Sequence, residues 1–142
     1  MTTVVINDLT GILLDWAVAQ HLPNITLSQM PVSQQLRKYG RLQLQHGGAW
    51  EPSQRMAQAA PLITASRMNL VNPTFGYVDT EYEWTACVRL PDGRNEHWAD
   101  GETLELAVCR AFLKFAVNRD HIDLPDGLIT AVTAYTTRGD RP

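Results

Sequence analysis

Charge and cysteine are both scarce in this sequence of 142 residues. Asp, Glu, Lys and Arg make up 19% of the chain, its formal net charge is -3 and its sequence pI is near 5.7. A generic nucleic-acid-binding protein normally carries a basic patch and a high pI, so we expect no nucleic-acid polymer as a partner. The two cysteines, Cys87 and Cys109, form no C-x-x-C pair, and their number excludes a disulfide scaffold.

Recognisable catalytic motifs are missing as well. The sequence has no G-x-G-x-x-G, no P-loop and no G-x-S-x-G, and its four histidines show no metal-ligand spacing. We therefore expect a protein that is not an enzyme and that needs no cofactor or metal. No apolar run reaches about 18 residues and the first residues lack the pattern of a signal peptide, so we expect a soluble, cytoplasmic protein without membrane contact.

Apolar residues are abundant enough for one core, at 44% of the chain. MTTVVIND is typical of a strand, LTGILLDWAVAQHL of a helix with apolar residues at helical spacing, and residues 102–119 of a second helix. The sequence predicts a single small α+β domain over residues 1–130, with an antiparallel sheet or hairpin packed against an N-terminal and a C-terminal helix. Pro61 is expected to interrupt the helix after Trp50, and residues 131–142 to form a flexible tail.

A hairpin is the clearest tertiary unit in the pattern. EYEWTACVRL and RNEHWAD flank Pro91-Asp92-Gly93, where the glycine supplies the positive φ of the turn. Continuous pairing would set Arg89 opposite Asn95, Cys87 opposite His97 and Ala86 opposite Trp98, which places Trp98 on the apolar face. The opposite face is either a ligand surface or a hydrated outer face, and it carries Thr85, Cys87, Arg89, Asn95 and His97.

The helix at residues 102–119 is apolar around most of its circumference. A second apolar sector beside its core stripe predicts either a buried position or a subunit interface, and we expect a homo-oligomer. Arg110 and Lys114, four residues apart, repel each other unless an anion or an acidic neighbour lies between them. They are either the first candidates for holding a phosphate or two unrelated cations on a solvated face.

Several landmarks occur in a fixed order along the chain: LTGILLDWAVAQHL, then W-x-P-S at 50–53, A-A-P-L-I at 59–63, W-T-A at 84–86 and E-T-L-E-L-A-V-C-R-A-F-L-K. In these landmarks the chain resembles the phage NinX-like family over about residues 4–128. That family consists of small phage proteins of unknown function. Residues 24–48 and the chain after Thr130 match no landmark.

The same plan is similar to the phage Thoeris anti-defence proteins of the first type. This resemblance implies a homo-oligomeric sponge that sequesters glycocyclic ADP-ribose or a cyclic oligonucleotide without turnover and so blocks the immune signal. It implies that Arg110 contacts phosphate and that Trp84 or Tyr82 stacks on the base. The full set of candidate ligand contacts is Arg110, Lys114, Trp84, Tyr82, Arg89, Arg94, Asn95 and His97. Two alternatives remain open, namely an accessory protein acting by protein–protein interaction and an enzyme that degrades the signal.

Overall fold

The computed structural model describes residues 1–71 and 84–138, and within these ranges the chain has an α+β fold, as predicted. A short 3-10 turn, Ile6–Asp8, follows the first strand. The helices are α1 (Gly11–Gln20), α2 (Val32–Tyr39), α3 (Met56–Ser66), α4 (Leu104–Val117) and α5 (Asp126–Arg138). The strands are β1 (Thr2–Val5), β2 (Leu42–Gln43), β3 (Ala49–Trp50), β4 (Met68–Val71), β5 (Trp84–Arg89), β6 (Asn95–Gly101) and β7 (His121–Leu124).

All strand pairs in the described ranges are antiparallel. The order β4-β5-β6 forms a three-stranded sheet, while β1 pairs with β7 and β2 with β3. Helix α4 packs on β5 and β6, and α1 and α3 pack on α4. The predicted packing of the hairpin against the helix at residues 102–119 is therefore confirmed, and this helix, α4, lies at the centre of the core.

The hairpin turn is as predicted, but its register is not. Gly93 has a φ of +91° and donates its N–H to the carbonyl of Leu90. Arg89 pairs with Asn95, but the register shifts between Ala86 and Val88, so that Ala86 pairs with Ala99 and not with Trp98. The extra residue on β6 is a β-bulge, and His97 takes a left-handed φ of +56° there.

The bulge reverses the predicted faces of β6 from His97 onward. Trp98 is 50% exposed, so its predicted place on the apolar face is wrong, and Ala99 is buried instead. The ring of His97 lies edge-on to the ring of Phe115 on α4, with 6.1 Å between centroids, so His97 leaves the predicted polar face. A single inserted residue moves every later side chain to the other face, because side chains alternate along a strand.

Helix α4 is buried by other elements of the same chain. Cys109 and Leu113, in the second apolar sector, are both fully buried without any second subunit. Of the two readings of this helix, the structure supports the buried position. The homo-oligomer stays a prediction, but the second apolar sector of α4 no longer supports it.

Two further expectations about the chain need correction. Helix α3 continues through Pro61 because Ala59 and Leu62 anchor it in the core, so the proline does not end it. Residues 131–138, expected in a flexible tail, belong to α5, whose Leu128 and Val132 pack with Leu36 of α2. No helix within the described ranges is long and apolar enough to cross a membrane.

Candidate functional site

Arg110 and Lys114, the leading phosphate candidates, are both buried, with 8% of each residue exposed. Arg110 donates from Nε to the carbonyl of Leu9 at 3.0 Å and from Nη1 to the carbonyl of Asp100 at 2.6 Å. Lys114 donates from Nζ to the carbonyl of Trp98 at 2.6 Å. Burial is the main reason why the pKa of Lys114 is lowered from its usual value.

The spacing of these two cations matches the strand that they contact. Residues four apart on a helix are separated by about 6 Å along its axis, and residues two apart on a strand by about 6.6 Å. Arg110 and Lys114 thus meet two carbonyls of β6 that point to the same side, those of Asp100 and Trp98. This contact explains a like-charged pair on an apolar helix without requiring a phosphate.

The other described candidates each have their own neighbours in the fold. Trp84 is half-buried against the core, and His97 packs against Phe115. Arg94 is exposed in the turn, where its Nε lies 2.7 Å from Oδ2 of Asp92. Arg89 is exposed at the end of β5. Tyr82 and the side chain of Asn95 lie outside the described part of the structure, so the ligand contacts of the whole set stay a prediction.

A different region forms a concave site. A cavity of about 570 Å³ lies between the start of α1, the segments around β2 and β3, and one side of α5. This volume is within the range of about 300–1,000 Å³ that is usual for small-molecule sites. Its walls are residues 10–13 with Asp15 on α1, residues 40–42, Trp50, Glu51 and Gln54 in the middle of the chain, and Val132, Thr133 and residues 135–137 on α5.

Asp15 lies in the inner wall of this cavity and is 2% exposed. Its Oδ1 accepts the backbone N–H of Ser53 at 2.8 Å, and its Oδ2 accepts the hydroxyl of Ser53 at 3.0 Å. The pKa of Asp15 is raised to about 7, mainly by burial and to a smaller extent by the charge of Glu51, while the Ser53 hydrogen bonds partly oppose the rise. A carboxyl group that titrates near neutral pH in a cleft is a physical marker of a functional site.

Two arginines form ion pairs with the neighbouring carboxylate of Glu51. Arg41, in the cavity wall, places Nη1 at 3.4 Å from Oε1 of Glu51, and Arg55 places Nε at 2.6 Å from the same oxygen. The Arg41 contact is long and its side chain is 46% exposed, so Arg41 can reorient toward a ligand at small cost. Residues 10–13 also line the cavity, at the positive end of the α1 dipole.

In the described residues, no group of three or more His, Cys, Asp or Glu side chains is arranged to hold a metal ion. The cavity instead combines hydroxyl groups, the half-exposed cation of Arg41 and two carboxyl groups, those of Glu51 and Asp15, of which Asp15 has a pKa near neutral pH. Such a set can bind a polar small molecule through hydrogen bonds and one cationic contact.

The sequence landmarks explain how this wall is built. Trp50 and Ser53 of the W-x-P-S landmark both bind Asp15 of the first landmark, since Trp50 also donates Nε1–H to the Asp15 carbonyl at 2.8 Å. The family model described as Bacteriophage P22, NinX matches residues 5–115. The chain belongs to the NinX family. Among curated proteins, none matches the chain.

The NinX match covers the α1 wall and the middle wall of the cavity but ends before α5. The sequence pattern singles out neither Asp15 nor Arg41 as a candidate site residue. The available signal was Asp15 itself, the one charged residue of helix α1, between Leu14 and Trp16. The signal for the third wall was weaker, because the threonine-rich stretch of α5 resembles a solvated tail.

Proposed function

We propose that this NinX-family phage protein sequesters a small anionic nucleotide signal, of the ADP-ribose or cyclic-nucleotide kind, without turning it over. The bound signal would be withheld from its receptor, which would block Thoeris-type immune signalling. The observation that supports the proposal best is the cavity of about 570 Å³ with Arg41 in its wall. We place the ligand there and not at Arg110, whose guanidinium group already holds two backbone carbonyls.

The chemistry of the walls fits this ligand class. An arginine side chain binds phosphate oxygens through charge-assisted hydrogen bonds, and the N–H groups of the first helical turn favour an anion. The hydroxyl groups of Thr133, Thr136 and Thr137 are suited to the sugar hydroxyls of a nucleotide.

A calorimetric titration with ADP-ribose tests this placement. Arg41→Ala should weaken binding about 30-fold, because a charge-assisted contact is worth about 2 kcal/mol. Arg37→Ala is the matched control, since Arg37 is an exposed arginine of α2 that does not line the cavity, and it should leave the affinity unchanged. Equal affinities for the parent and the Arg41 variant would refute the site.

A signal-degrading enzyme is the second candidate, and Asp15 is the observation that favours it. A carboxyl group with a pKa of about 7 can act as a general acid or base. However, Asp15 is 2% exposed and each of its carboxyl oxygens accepts a hydrogen bond from Ser53, which limits the access of a substrate to this group. Recovery of intact ADP-ribose after incubation separates a binding protein from this enzyme.

A further inference from the structure

We propose that the cavity takes up its anionic ligand together with a proton, which Asp15 holds while the ligand is bound. This inference rests on the proposed function and adds a mode of regulation to it: the affinity for the signal depends on pH over the physiological range.

The Asp15–Ser53 contact allows such a proton to come and go without loss of structure. In the ionised state both carboxylate oxygens accept hydrogen bonds from Ser53. In the protonated state the carboxyl O–H can donate to the Ser53 oxygen, because a serine hydroxyl is both donor and acceptor. The backbone N–H of Ser53 still has Oδ1 as its partner. Both protonation states therefore keep α1 joined to the turn after β3.

The charges around the cavity determine which protonation state of Asp15 favours the binding of an anion. Glu51 already lies close enough for its charge to oppose ionisation of Asp15. A bound anion adds negative charge to the cavity. If it also draws Arg41 away from Glu51, the Glu51 carboxylate loses one of its two arginine contacts. Protonation of Asp15 relieves this repulsion, since burial already favours its neutral form. The charged or titratable groups on the surrounding elements are Glu51, Arg41, Arg55, Cys109 and Arg110 of α4, and Tyr135 of α5.

Calorimetry with ADP-ribose measures the proton directly. The pyrophosphate diester of this probe has no group that titrates near pH 7, so any proton taken up goes to the protein. Titrations at pH 7 in Mops and in imidazole, whose ionisation enthalpies differ, should give an uptake of about 0.5 proton, because a group with a pKa of about 7 is half protonated beforehand. The affinity should fall about tenfold between pH 6 and pH 8.

Asp15→Asn supplies the matched test, since the amide keeps the shape and both contacts of the protonated acid. Its affinity should be independent of pH and equal to that of the parent at pH 6. Asp92→Asn, in the β5–β6 turn and outside the cavity walls, should keep the pH dependence of the parent.

The outcomes separate this inference from the proposed function. Binding by the parent without proton uptake, or a pH dependence that persists in Asp15→Asn, would overturn the proton linkage and leave the sequestration proposal standing. No binding of ADP-ribose at pH 6, 7 or 8 would overturn both.

Discussion

Replacing Arg110 with methionine tests whether this residue is a structural hydrogen-bond donor or a ligand contact. Methionine keeps an unbranched apolar stem but removes the donors to the carbonyls of Leu9 and Asp100. Leaving a buried acceptor without a partner costs about 1–3 kcal/mol, and two acceptors are affected. Partial access of water to the strand edge reduces the sum, so we expect a loss of about 3 kcal/mol in the free energy of unfolding.

Urea unfolding followed by circular dichroism measures this loss as a lower midpoint with an unchanged slope. Arg110→Lys should recover about half of it, because one ammonium group cannot reach both carbonyls as the planar guanidinium group does. Arg94→Met is the matched control, since Arg94 is exposed in the hairpin turn and its ion pairs contribute little. If Arg110→Met were as stable as the parent but no longer bound ADP-ribose, the phosphate role predicted from the sequence would be right and our interpretation wrong.

Three other expectations follow from the described residues. Asp15 has a raised pKa in the folded state, so the free energy of unfolding of the parent protein should fall by at most about 4 kcal/mol as the pH rises from about 4 to about 7. Urea unfolding at a series of pH values should show this fall in the parent and not in Asp15→Asn. The same pH dependence of stability in both proteins would contradict the raised pKa of Asp15. In thermal unfolding, Gly93→Val should cost about 1 kcal/mol of stability through backbone strain alone. Gly101→Ala should cost more than that, because a Cβ there would lie 2.7 Å from the backbone N of Ala107. Gly127→Ala, which has open space around it in helix α5, is the control and should be neutral or slightly stabilising. We still expect a homo-oligomer and now place its contact at the exposed ring of Phe115, so light scattering should show an oligomer that Phe115→Ser dissociates, whereas a monomeric parent would refute it.

Local patterns predicted the elements whose signals are local. The first strand, the first helix, the hairpin turn at Gly93 and the helix bearing Arg110 all lie where periodicity and turn chemistry indicate them. The register of the hairpin could not be predicted, because a bulge at His97 depends on the helix packed against it and not on the alternation of the two strands.

The site depended on long-range contacts that periodicity does not reveal. The charge of Arg110 is unusual on an apolar helix and so stands out in the sequence, but it binds the backbone carbonyls of Leu9 and Asp100, and a backbone carbonyl leaves no mark in a sequence pattern. Asp15 meets Ser53 across 38 positions, and α5 closes the cavity from the far end of the chain. Two of the sequence landmarks, those that contain Asp15 and Ser53, join α1 to the segment after β3.

Under the proposed function, the protein holds an anionic nucleotide intact in the cavity beside Arg41. The most direct measurement incubates the protein in excess with ADP-ribose, removes unbound ligand by filtration, denatures the protein by heat and quantifies the released nucleotide by mass spectrometry. We predict that the parent retains the nucleotide and releases it chemically unchanged, and that Arg41→Ala retains far less while Arg37→Ala matches the parent. Release of degradation products, or equal retention by the parent and Arg41→Ala, would contradict the account.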